Sequence, residues 1–88
     1  MINENDKVWA IRVGIRADRE VTYDVDKVFA HKNLGNALLY AEGLCNELRK
    51  KHHIKGKVKK EDYKTVFHFL AEDCEDYVDV SVLPKEVE

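Results

Sequence analysis

Two kinds of period alternate along the chain. From Lys7 to Arg16 (KVWAIRVGIR) the period is two: Trp9, Ile11, Val13 and Ile15 share one face, and Val8, Ala10, Arg12, Gly14 and Arg16 the other. This pattern, with β-branched residues inside it, predicts a half-buried strand. A short polar connection, Ala17-Asp18-Arg19-Glu20, leads to a second alternation in which Val21, Tyr23 and Val25 are expected inward and Thr22, Asp24 and Asp26 outward. The pattern breaks at Lys27-Val28-Phe29-Ala30, so this strand is expected to bulge or turn near Asp26. Together the two runs predict an antiparallel hairpin.

The period then lengthens. From Asn33 to His53 (NLGNALLYAEGLCNELRKKHH), Leu34, Ala37, Leu38, Ala41, Leu44, Cys45 and Leu48 fall on one stripe at 100° per residue, with Tyr40 at its edge. This predicts one long helix whose stripe covers the hairpin, with Asn33 as its N-cap. Arg49, Lys50, Lys51, His52 and His53 end it, where the helix dipole favours cations.

The segment after the basic connector Ile54–Lys60 supports two assignments. Tyr63, Val66, Phe67, Leu70, Cys74 and Tyr77 follow a helical course, which favours a helix over Glu61–Glu75. Thr65-Val66-Phe67-His68-Phe69 has high strand propensity, and Phe69 lies off the helical stripe. The alternative is a strand over 64–71 that pairs with the next segment through a turn at Glu72–Asp76. Tyr77–Leu83 (YVDVSVL) alternates as a strand, Pro84 is expected to end it, and 84–88 to form a loose tail. The expectation is therefore one α+β domain over 1–88: a small antiparallel sheet with an N-terminal hairpin, packed against one long central helix. The order is ββααβ, or ββαββ if 64–71 is a strand.

Eighty-eight residues with 44% hydrophobic and 36% charged content suit one modest core with a heavily charged surface. The opening MINENDKV has neither the basic start nor the apolar run of a signal peptide, and no apolar run approaches the ~18 residues of a membrane span. A cytoplasmic protein with no membrane partner is expected. Cys45 and Cys74 stand alone in their segments, both on expected core stripes, which predicts free buried thiols rather than a disulfide framework.

Charge changes the picture most. Residues 49–60 carry seven basic and no acidic side chains, whereas 61–88 carry nine acidic and two basic ones. The basic run (Arg49, Lys50, Lys51, Lys55, Lys57, Lys59, Lys60) suits phosphate contacts of strongly salt-dependent affinity. It contains no aromatic for base stacking, and a pI near 6.1 argues against a dedicated nucleic-acid binder. The acidic run, with Asp62 and above all Glu72, Asp73, Glu75, Asp76 and Asp79, suits a basic surface on another protein.

No catalytic kit emerges. Ser81 is the only serine and has no local signature, the glycines (Gly14, Gly35, Gly43, Gly56) form no phosphate loop, and the paired acids fit solvated turns. Cys45, His52, His53 and Cys74 lack the close ligand pairs of a structural zinc site. The chain is thus expected not to be an enzyme and to hold no metal or cofactor. The helix side opposite the core stripe is unusual: Gly35, Asn36, Leu39, Gly43 and Asn46 form a strip without charge, where a neighbouring backbone could approach. That strip is expected to contact either the second helical segment or another chain. These features predict a non-catalytic accessory module, an adaptor or inhibitor of a larger partner as in phage proteins, possible also as a homodimer. Its contacts would be Asn36, Leu39, Gly43 and Asn46 together with the acidic run. Nucleic-acid binding through 49–60 is the alternative.

Overall fold

The computed structural model describes residues 7–17, 19–63 and 66–86. Strands β1 (Lys7–Ala17) and β2 (Glu20–Ala30) form the expected hairpin, a 3-10 turn (His31–Asn33) leads into helix α1 (Leu34–Lys51), and β3 (Lys59–Tyr63), β4 (Val66–Asp73) and β5 (Asp76–Glu86) complete the chain. All five strands join one antiparallel sheet in the order β2-β1-β5-β4-β3. The α+β architecture stands as expected: an antiparallel sheet, strands first, under one helix.

The helix favoured for Glu61–Glu75 is replaced by β3 and β4, so the order becomes ββαβββ. The strand assignment wins because period two buries more: Phe69 and Ala71 are 2% and 0% exposed and point at the helix with Phe67. Tyr63 and Cys74, two anchors of the helical stripe, are exposed instead. Cys74 sits in the β4–β5 turn at φ 54°, bracketed by the Asp73↔Asp76 pair. The strand does not end at Pro84 either. β5 continues to Glu86, with Pro84 opposite Trp9 and Lys85 opposite Val8. The described pairing with β4 reaches only Val82↔Phe67, so a residue with no N–H is tolerated there. Residues 87 and 88 of the expected tail lie outside the described residues.

A second correction concerns β2. Register places Val21, Tyr23 and Val25 opposite Arg16, Gly14 and Arg12, on the face away from the helix, and they are 49%, 66% and 51% exposed. The cause is the bulge expected near Asp26. Ile11 pairs with Lys27 and Arg12 with Val25, leaving Asp26 as the extra residue. One extra residue reverses the facing of everything beyond it. Phe29 therefore lies beside Trp9 under the helix while Val25 points away. Tyr40 of α1 donates its hydroxyl to Asp26 and packs on Phe29 at 5.5 Å, with Lys27 Nζ 4.9 Å from the Tyr40 ring.

The helical stripe is as the period predicts. Ala37, Ala41 and Cys45 are fully buried at its centre, flanked by Leu34, Leu38, Tyr40, Leu44 and Leu48. Three small residues four apart bring the helix axis close to Val78, Val80 and Phe69, close enough for the Cys45 thiol to donate to the Phe69 carbonyl at 3.3 Å. Asn33 occupies the N-cap position without a side-chain capping bond. The C-terminus is better finished: His53 N–H donates to Lys50 O at 3.2 Å and Ile54 N–H to Arg49 O at 2.8 Å, with His53 at φ 58°. This is a Schellman motif, and its apolar residue, Ile54, is 3% exposed.

Candidate contact surfaces

Helix α1 crosses the sheet with its stripe down, so its uncharged strip faces away from the sheet. The chain returns beside it through the connector, turned by the Schellman motif and seated at Gly56. A Cβ on Gly56 would fall 2.0 Å from the Glu72 carbonyl oxygen, so the connector passes against β4 backbone to backbone. Between the helix flank and the connector runs a groove of about 540 Å³ lined by Leu39, Glu42, Gly43, Asn46, Arg49, Lys57 and Val58. Leu39 is 71% exposed, and a Cβ on Gly43 or Gly35 would meet nothing within 4 Å. The strip therefore has no second helix against it. Leu39, Gly43 and Asn46 line the groove, and Asn36 lies exposed on the preceding turn.

Arg49 closes one end of the groove. Its Nε donates to Asn46 Oδ1 at 2.8 Å and its Nη1 to the Ile54 carbonyl at 3.4 Å, so this guanidinium holds the connector to the helix. The basic segment is dispersed. Lys50 and Lys51 extend from the helix end, and Lys57 lines the groove. Lys59 and Lys60 alternate across β3, with Lys60 near Asp62 at 3.9 Å and over the Phe67 ring at 5.8 Å. Near Lys55, the basic and acidic runs meet directly: its backbone N–H donates to Asp73 Oδ2 at 3.4 Å.

The acidic set divides in two. Glu72, Asp73, Glu75 and Asp76 gather around the β4–β5 turn, whereas Asp79 lies three residues into β5 on the helix-free face. There Asp79 Oδ1 is 3.3 Å from His68 Nδ1 and accepts from Ser81 Oγ at 3.4 Å, while Ser81 Oγ is 2.9 Å from the same His68 nitrogen. Ser, His and Asp together suggest a hydrolytic triad, but that chemistry needs the nucleophile and the orienting acid on opposite nitrogens of the His ring. Here both partners crowd Nδ1, and Ser81 is only 3% exposed. The arrangement satisfies a buried hydroxyl between strands. Beside it, Glu61, Asp62, Tyr63, His68, Leu70 and Asp79 line a smaller hollow of about 420 Å³.

Among the described residues no three His, Cys, Asp or Glu side chains gather as a metal could require, and no helix is long and apolar enough to cross a membrane. Cys45 is sealed in the core, where burial pushes its thiol up to about 11. Cys74 is exposed, and its hydrogen bond with the Asp73 carboxylate raises its pKa.

The helix-free face is the surface that the alternating pattern alone did not reveal. Among the described residues, five of the six large exposed hydrophobics (Val21, Tyr23, Val25, Val28, Tyr63) lie on it. Its signal was present in the break at Lys27–Ala30, since a bulge there forbids Val25 and Phe29 from sharing a face. No protein-family model, curated protein or solved structure matches the chain.

Proposed function

We propose that this protein is a non-catalytic protein-binding module, an adaptor or inhibitor that engages a larger partner through the helix-flank groove. One observation carries the reading: Leu39, 71% exposed, stands with Gly43 and Val58 in an open groove on a helix side that carries no charge from Gly35 to Leu39. A helix flank facing only water gains solubility from Lys and Glu there, and glycine at a mid-helix position costs about 1 kcal/mol against alanine. A partner side chain or backbone seated over Gly43 offsets that cost. Leu39 supplies the apolar anchor, while Glu42, Arg49 and Lys57 at the margin supply orientation. The acidic turn Glu72–Asp76, at the end of the molecule where the helix finishes, adds a charged rim for a basic partner. A cytoplasmic location belongs to the same proposal.

The test is a tagged pull-down from the native cell with wild-type, Leu39→Glu and Gly43→Lys proteins, followed by calorimetry with the purified protein retained. The expected result is one partner lost with both variants, while circular dichroism shows the variants folded. Equal retention by all three proteins overturns the reading. Binding of DNA or RNA that persists at ~150 mM salt and falls on neutralising Lys50 and Lys51 favours the nucleic-acid alternative instead.

A further inference from the structure

We infer that the helix-free face of the sheet is a self-complementary interface, on which a second copy of this chain packs sheet to sheet about a twofold axis running along β5. The inference stands apart from the groove, which lies on the other side of the molecule.

The register sets out the face as rows across the strands. One row is apolar: Val28, Ala10 and Leu83 from β2, β1 and β5. Val66 of β4 lies one step beyond the Phe67↔Val82 pair, with Tyr63 of β3 opposite it. The next holds Val25, Arg12, Ser81, His68 and Glu61; the next Tyr23, Gly14, Asp79, Leu70 and Lys59; the last Val21, Arg16, Tyr77 and Glu72. Nothing in the described chain covers these rows, yet Val21, Val25 and Val28 remain about half exposed and Tyr23 and Tyr63 about two-thirds. Strands ~4.8 Å apart and ~3.3 Å per residue give the five-strand face an area of roughly 700 Å². A stable interface needs about 800 Å² from each partner, so the whole face is of the size one copy would cover.

Charge decides in favour of a second copy over a strongly basic or acidic partner. The face carries Arg12, Arg16, Lys59 and Lys85 against Glu61, Glu72 and Asp79, close to balance; β1 contributes only cations and β4 only Glu72, while β3 and β5 each carry one charge of either sign. Cations dominate β1, and Glu72 and Glu61 lie on β4 and β3. β5 is the middle strand, with β1 and β4 one strand to either side. Rotation about an axis along β5 lays β1 of one copy over β4 of the other and β2 over β3. Arg16 then meets Glu72 of the second copy in its own row, twice by symmetry. The apolar row lies against itself, Val28 toward Tyr63 and Leu83 toward Leu83. Aligned sheets cross at about 30°, and the offset this gives an outer row is within the reach of an arginine–glutamate pair. The remaining device is on the edge strands. As outer strands β2 and β3 would invite edge-to-edge growth, but Asp24, Asp26, Lys27 and the bulge on β2 and the charged run Lys59–Asp62 on β3 oppose that, which leaves face-to-face pairing as the closed solution.

The experiment is sedimentation equilibrium from 2 to 200 µM on the full chain, with circular dichroism as a fold check on each variant. Wild type is expected to be a dimer at 50 µM, and Val28→Glu a folded monomer. Arg16→Glu and Glu72→Arg should each weaken association at least tenfold, the double variant should recover most of it, and Leu39→Glu should leave it unchanged. A wild-type monomer at 200 µM overturns the inference and leaves the face to a different protein. Dissociation by Leu39→Glu but not Val28→Glu, or no recovery in the double variant, overturns this placement of the interface.

Discussion

The hydroxyls of Tyr23 and Tyr77 meet 3.1 Å apart, across the strand that separates them. They can do so because Gly14 lies between: its missing side chain leaves room for the Tyr23 ring, whose Cε1 would stand 2.8 Å from a Cβ there. An aromatic laid over a strand glycine restores the packing that glycine lacks. The bond holds the Tyr77 phenol in its protonated form and raises its pKa above the usual 10. Tyr23→Phe is expected to lower the Tyr77 titration toward that value, and Gly14→Val to do the same by displacing the ring. Site-resolved NMR titration of the tyrosine ring carbons reads both. An unchanged Tyr77 curve in Tyr23→Phe would show that the hydroxyl pair does not form in solution.

His53 holds a left-handed backbone so that Ile54 can reach back to Arg49. A residue with a Cβ pays about 1 kcal/mol or more in that region and glycine almost nothing. His53→Gly is expected to stabilise the protein by about 0.5–1 kcal/mol, read as a higher urea midpoint at unchanged slope. His53→Val should move the midpoint the other way.

What the sequence could and could not express divides along physical lines. The helix was fully legible because its stripe is long and consistent, from Leu34 to Leu48, and burial follows it residue by residue. The segment after the connector was not, since Tyr63, Val66, Phe67, Leu70 and Cys74 satisfy helical spacing while Phe67, Phe69 and Ala71 satisfy strand spacing. Only the pairing of Phe69 with Val80 across the sheet selects between them. Facing in β2 failed for a different reason: Val21, Tyr23 and Val25 look like a core face in isolation, and a single bulged residue turns them outward. Of the contact residues, the Leu39 strip is where the helical period places it. Asp79 stands apart from the acids of the β4–β5 turn because it lies further along β5, beside His68 and Ser81, on the helix-free face that Glu72 also joins.

The close approach of α1 to the sheet depends on the small residues at the centre of its stripe. Ala41 is 0% exposed over the β5 valines, so Ala41→Leu inserts three carbons where there is no space. Overpacking of this kind costs about 1–3 kcal/mol. The helix is expected to lift, exposing Cys45 and speeding its reaction with a disulfide reagent. In wild type at pH 8 the reagent should label Cys74 alone at first, and Asp73→Asn should hasten that labelling by releasing the thiol from its carboxylate. Rapid labelling of both cysteines in wild type would contradict the packing.

Cys45 also makes stability depend on alkaline pH. Its folded pKa is about 11 because burial disfavours the thiolate, against about 8.5–9 in an unfolded chain. Between these values the unfolded state loses its proton first, so the folded state binds more protons and stability falls as pH rises. The contribution is fully present below about pH 8.5 and is lost progressively toward 11. The difference between these two values corresponds to roughly 2–3 kcal/mol at the top of the window. Cys45→Ala removes the group, at the cost of a small cavity and the thiol's bond to the Phe69 carbonyl. Urea denaturation at pH 8, 9, 10 and 10.5 should therefore show the variant less stable than wild type at pH 8, with the difference narrowing as pH rises. Tyr40 and Tyr77 remain in both proteins, so their own alkaline ionisation cancels in the comparison. Parallel stability curves across that range would mean that Cys45 ionises as readily in the folded protein as in the unfolded chain, and that the helix does not seal it against the sheet.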